Sequence, residues 1–152
     1  MSQVCEVVEL AAQPAIAVRT RTNFRELSKV IDEAYDAISQ YLGQMGEQPE
    51  GPPFVGFFNA GTDDLEVEAG FAVSRKIKGE GRFLAVETPG GRVGVCLHTG
   101  PYSESHAAYA ELTRTVQELG LEPTGVSYEF YLNNPMDTPP EQLQTRIVFP
   151  LR

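Results

Sequence analysis

Gly125-Val126-Ser127-Tyr128-Glu129-Phe130-Tyr131-Leu132-Asn133 is the stretch on which the rest of the chain is organised. It follows a Pro123-Thr124-Gly125 turn and stops at Asn133-Asn134-Pro135. β-Branched and aromatic residues dominate it, so it predicts a strand. Side chains alternate across a strand. Tyr128, Phe130 and Leu132 therefore share one face, and Ser127, Glu129, Tyr131 and Asn133 the other. The first face is apolar enough to pack under a helix. The second sets a carboxylate beside a phenol, the wall of a polar-aromatic pocket. The plainer reading is an open sheet face with Glu129 in water, since acids are seldom buried unless paired.

Outward from this strand the pattern repeats. Residues 3–10 and 15–22 read as strands. Asn23, with Glu26 three residues on, marks a helix start. Phe24, Leu27, Ile31, Tyr35, Ile38 and Leu42 recur every three to four residues, which predicts about five turns of amphipathic helix. Residues 54–60 and 65–74 form a hairpin about Gly61-Thr62-Asp63-Asp64. The basic segment 75–81 reads as a solvated connection and as the seam between two halves, with a small anion site as its alternative. The order then starts again, with strands over 83–88 and 92–98. A second helix opens at Thr99-Gly100-Pro101, with Tyr102, Tyr109, Leu112, Val116 and Leu119 on its apolar face. The Glu129 strand and a last strand over 143–149 follow. The expected fold is α+β, built from duplicated strand-helix-strand-strand modules over about 3–74 and 82–150. Residues 1–152 form a single domain, with an antiparallel sheet, two long helices on one face and a central ligand groove.

Composition excludes several classes. The 152 residues carry a net charge of −9, which opposes nucleic acid and anionic membranes. No apolar run is long enough to span a bilayer, and the N-terminus lacks a secretion signal, so a cytoplasmic setting is expected. Cys5 and Cys96 form no CxxC and read as free thiols at strand positions. No metal or other cofactor is expected. Zinc needs about four ligands at defined spacing, and His98 and His106 read as structural.

The run His98-Thr99-Gly100-Pro101-Tyr102, then Ala108-Tyr109 and Leu112, then Tyr128 to Leu132, then Thr145 to Leu151, resembles the GyrI-like domain. That is the small-molecule-binding domain also found as the effector-binding part of bacterial multidrug-responsive activators. The resemblance spans essentially the whole chain. It implies an aromatic-lined central pocket for lipophilic cations with a glutamate at its floor. Glu129 matches that glutamate, and Tyr131 matches a wall position. Phe57, its repeat-mate, is expected to line the other half, and Tyr102 opens the second helix where the family often has a tyrosine. Glu68 is a further candidate for the groove. Two departures stand out: the chain has no Trp, and no helix-turn-helix fits it, so a stand-alone domain is expected.

Burial among aromatics would raise the Glu129 pKa, and an entering cation would restore its charge. Pairing of Glu129 with Arg146 is the structural alternative. Binding of lipophilic, cationic or aromatic small molecules is the leading expectation. The first alternative is hydrolysis of electrophilic, cyclopropane-type toxins, with Glu129 and Tyr131 as catalytic groups. The second is a protein partner such as gyrase.

Overall fold

The computed structural model describes residues 4–59 and 63–152. Gln3, Ala60 and the Gly61-Thr62 part of the expected turn lie outside the described residues. Among the described residues eight strands and two α-helices form in the expected order. They are β1 (Val4–Leu10), β2 (Pro14–Thr22), α1 (Leu27–Gln44), β3 (Pro53–Phe57), β4 (Leu65–Ala72), β5 (Phe83–Glu87), β6 (Gly91–Thr99), α2 (His106–Glu118), β7 (Ser127–Tyr131) and β8 (Gln144–Pro150). The fold is α+β and the strand pairs are antiparallel.

The chain divides into two compact units, and the division does not follow the repeat. Unit one is Met1–Ala11 with Pro89–Arg152, and unit two is Ala12–Thr88. The first strand of each repeat leaves its own module. β1 pairs with β6, and β5 pairs with β2. The chain therefore crosses between units at Ala11–Ala12 and at Thr88–Pro89, not within the basic segment 75–81. Gln13-Pro14 supplies a break near the first crossing, where the Gln13 N–H donates to Thr88 Oγ1 at 2.9 Å.

In unit two the strands run β3-β4-β2-β5, and α1 lies on one sheet face. Its Tyr35 ring meets Phe71 at 5.1 Å and its Tyr41 ring stacks on Phe83 at 4.4 Å. The Tyr41 hydroxyl also donates to the Lys78 carbonyl at 2.6 Å. Asn23 Oδ1 accepts from the Glu26 N–H at 2.9 Å, so it caps a turn that leads into α1. Phe24, expected on the apolar face, falls in that turn and is 70% exposed. At the other end, Gly46 at φ +72° permits the closing bond from the Glu47 N–H to the Leu42 carbonyl at 2.9 Å.

In unit one the strands run β1-β6-β8-β7. α2 packs Ala108, Leu112 and Val116 against Cys96, Ile147 and Phe149, with Cys5 and Tyr109 at the edge of the cluster. Fully burying one such aliphatic side chain contributes about 1.5–3 kcal/mol. The approach of α2 to β6 depends on Gly94. A Cβ there would stand 2.9 Å from Val116 Cγ2 and 3.2 Å from Leu112 Cδ1. Gly94→Ala is therefore expected to lower the unfolding free energy by about 1–3 kcal/mol through overpacking. A urea midpoint equal to wild type would show that the helix can shift without cost.

Cys5 and Cys96 are not free thiols. They stand directly opposite each other in the β1–β6 register and form a disulfide. The sequence did not show this pairing, because the bond depends on β1 leaving its own module for β6.

Candidate functional site

β7 hydrogen-bonds to β8 with Glu129 opposite Ile147 and Tyr131 opposite Thr145. Ile147 belongs to the core under α2, so Glu129 and Tyr131 project onto the helix-bearing face. The sequence reading had placed the helix over Tyr128 and Phe130 and left Glu129 the far side. It is Phe130 that lies away from the α2 core, opposite the exposed Arg146. Arg146 thus shares the Phe130 face, and the alternative Arg146–Glu129 pair does not form.

Glu129 is half-buried and held by phenols. The Tyr131 hydroxyl donates to Oε1 at 2.9 Å, and the Tyr109 hydroxyl, from the first turns of α2, donates to Oε2 through a short bond. The ring of Tyr102 meets that of Tyr131 edge-on at 5.4 Å, and Tyr109 leans on Phe149 at 5.8 Å. Among the described residues no Lys, Arg or His stands within ion-pair distance of Glu129. The local charge is a single carboxylate facing hydroxyl donors and ring faces.

Burial and then the negative charge of Glu129 raise the Tyr102 phenol above its ordinary value. The same two causes, together with the hydrogen bond to Glu129, raise Tyr109 far above it. Below pH about 10 these phenols are protonated in the folded and unfolded chain alike. Above it the unfolded chain releases their protons while the folded chain keeps them. The folded state then binds more protons, and stability falls as pH rises. Tyrosinate absorbance is expected to show two of the six tyrosines titrating late, with a falling urea midpoint from pH about 10 upward. A midpoint independent of pH over that range would contradict the shielding of Tyr109.

Of the expected residues, the structure brings together Glu129, Tyr131 and Tyr102. It adds Tyr109, which the sequence reading placed on the apolar helix stripe and in the family resemblance but gave no role at the site. A tyrosine on a buried stripe needs a partner for its hydroxyl, and that was the available signal. Phe57 and Glu68 belong to unit two. Phe57, half-buried on β3, sits opposite Val67. Glu68 is 5% exposed, lies between Arg19 and Gly56 in the register, and projects to the side of β4 opposite Phe71 and α1. Burial raises its pKa, and Arg19 offsets this in part. Arg19 itself is engaged by Glu66 at 2.9 Å and lies 4.1 Å over the Phe58 ring.

His98 is buried and His106 exposed. Among the described residues no group of three or more His, Cys, Asp or Glu side chains could hold a metal ion. A pocket of about 340 Å³ in unit two is lined by Pro14, Ala15, Lys76, Ile77, Ala85, Val86 and Glu87. It contains none of the residues around Glu129.

A carboxylate ringed by three tyrosines, on the helix-bearing face of an antiparallel α+β unit, fits the class of small-molecule-binding domains. The chain belongs to the GyrI-like small molecule binding domain family, whose model matches residues 3–152. Among solved structures it is similar to the C-terminal domain of EcmrR, with 20% identity, a TM-score of 0.85, and coverage of 100% of this chain and 99% of that one. In the EcmrR–DNA complex the match has 21% identity and a TM-score of 0.84; it covers 99% of this chain and 57% of the longer chain. A hydrolase from Listeria innocua matches at 19% identity and a TM-score of 0.72, covering 97% and 91%. SAV2435, solved bound to tetraphenylphosphonium, matches at 10% identity and a TM-score of 0.60, covering 98% and 94%. These likenesses show the fold. No curated protein matches.

Proposed function

We propose that the protein binds lipophilic cationic small molecules at Glu129, with Tyr102, Tyr109 and Tyr131 as the aromatic and hydrogen-bonding surround. The observation that carries this reading is the half-buried Glu129 carboxylate, held by two phenolic donors and lacking a basic partner among the described residues. Its hydrogen-bond partners are neutral hydroxyls, so an entering cation would be its first charged partner. Each ring face adds about 0.5–2 kcal/mol of cation–π attraction. Flat rings and one charge favour breadth over a fixed hydrogen-bond code. The structure of SAV2435 with a phosphonium ion supports the same chemistry on this fold.

The reading uses Glu129, Tyr131 and Tyr102 from the sequence expectation and adds Tyr109. Phe57 and Glu68, both in unit two, stay candidates for the groove in this proposal. A cytoplasmic setting stays part of the proposal; no helix among the described residues is long and apolar enough to cross a membrane. A gyrase partner has no support in the geometry and is not proposed.

Hydrolysis of electrophilic toxins by Glu129 and Tyr131 is the second reading. It draws on the Listeria innocua hydrolase that shares the fold. Titration with tetraphenylphosphonium, wild type against Glu129→Gln, tests binding. Mass spectrometry of an electrophilic cyclopropane ligand after incubation separates binding from turnover.

A further inference from the structure

Two of the phenols around Glu129 come from one stretch of chain. Tyr102 opens a single 3₁₀ turn, Tyr102–Glu104, and Tyr109 follows on α2. They are held differently. Tyr109 packs at the edge of the core under α2, and its hydroxyl bonds Glu129. Tyr102 is 39% exposed and is not part of that core. Its ring meets Tyr131 edge-on at 5.4 Å, and the Glu129 charge helps to raise its phenol, so it stands within electrostatic reach of the carboxylate. The direction of this ring depends on the turn that precedes it.

That turn begins beside His98, the last residue but one of β6, which is 3% exposed. The Pro101 carbonyl accepts two hydrogen bonds. The Glu104 N–H gives one at 3.0 Å and closes the 3₁₀ turn. His98 Nε2 gives the other at 3.0 Å. A carbonyl only accepts, so Nε2 carries the hydrogen. This is the one hydrogen bond of the imidazole, since Nδ1 has no partner. Gly100 lies against the same ring. A Cβ there would stand 3.6 Å from His98 Cε1, and the Gly100 φ of +137° is one that other residues rarely adopt. The Gly100 N–H also reaches the Leu143 carbonyl at 2.8 Å. That bond ties the residue before Pro101, whereas the His98 bond ties the carbonyl on which the 3₁₀ turn is built.

We infer that His98 is a positioning residue of the Glu129 site, taken as the cation site proposed above: through the Pro101 carbonyl it sets the turn that holds the Tyr102 ring ready for an aryl-bearing cation. His98 itself touches no ligand. It stands on a strand paired on both sides, with Thr145 of β8 opposite it, and so offers a rigid support. A ring already aimed by such a support loses less freedom when a ligand arrives. Without the bond the turn can still close through Glu104, but its direction is no longer fixed and the ligand must order Tyr102.

Calorimetric titration of the full chain with tetraphenylphosphonium tests this. His98→Leu fills the space without a donor and is expected to weaken binding about fivefold. His98→Gln carries an amide N–H as many bonds from Cα as Nε2 and is expected to recover most of the affinity. In a Tyr102→Ala background, itself weakened, His98→Leu is expected to cause no further loss. A histidine that serves only the fold would lower the urea midpoint with affinity unchanged, or lower affinity alike in both backgrounds. Either result overturns the inference, as does an unchanged affinity for Tyr102→Ala or a His98→Gln as weak as His98→Leu. Should His98→Leu fail to fold, His98→Asn replaces it. Its amide ends where Nδ1 stands, short of the Pro101 carbonyl, and the same loss is expected. Glu129→Gln separates this failure from that of the underlying reading. If it weakens the phosphonium while His98→Leu does not, only the positioning is wrong; if it changes nothing, the cation site itself is wrong.

Discussion

Cys5→Ala is expected to lower the unfolding free energy by about 2–4 kcal/mol, the largest stability effect in this chain. The Cys5–Cys96 bond spans 91 residues of sequence and ties the N-terminal strand to the unit formed mainly by the C-terminal half. Cutting so long a loop returns much conformational entropy to the unfolded chain. Against a typical total of about 5–15 kcal/mol the loss is large. Cys96 is fully buried and as a thiol still packs as a small apolar side chain. The native β1–β6 pairing is thus expected to survive, with a lower urea midpoint. Reduction of wild type should give the same drop, and Cys5→Ala should no longer respond to reductant. Identical midpoints for oxidised wild type, reduced wild type and Cys5→Ala would show that the cross-link adds nothing.

Glu129→Gln is expected to weaken tetraphenylphosphonium binding about tenfold to a hundredfold, the largest effect on function. The substitution keeps the shape of the side chain and removes its charge. The Gln carbonyl still accepts one phenolic hydrogen bond, and its amide N–H can donate to the other hydroxyl oxygen, so the site stays assembled. What disappears is the charge–charge attraction in a partly desolvated place, on the order of 1.5–3 kcal/mol. Triphenylphosphine oxide, neutral and of similar outline, supplies the control, and its binding should not change. An unchanged phosphonium affinity would show that ring contacts alone hold the ligand and that the carboxylate has another role.

The β7 strand shows how much of the site was legible. Its alternation correctly paired Glu129 with Tyr131 on one face, because a strand's period of two is fixed by backbone geometry. It could not say which face the helix covers. Both faces carry large side chains, and the choice follows from the Ile147 and Phe149 side of β8, which is next to β7 in space but distant from it in sequence. Tyr109 was visible as one of a helical stripe of apolar residues. Its role depends on α2 crossing β7 at a height where the hydroxyl meets Oε2.

By itself the sequence determined the number and order of the elements, the duplicated pattern and the family to which the chain belongs. These follow from local periodicity and turn chemistry, which act over a few residues at a time. Only the tertiary structure decided the exchange of first strands, the Cys5–Cys96 bond, the side of the sheet on which Glu129 stands and the phenols that hold it. Those depend on pairings between segments far apart in the chain, whose selection rests on the summed burial of a whole core rather than on any short stretch.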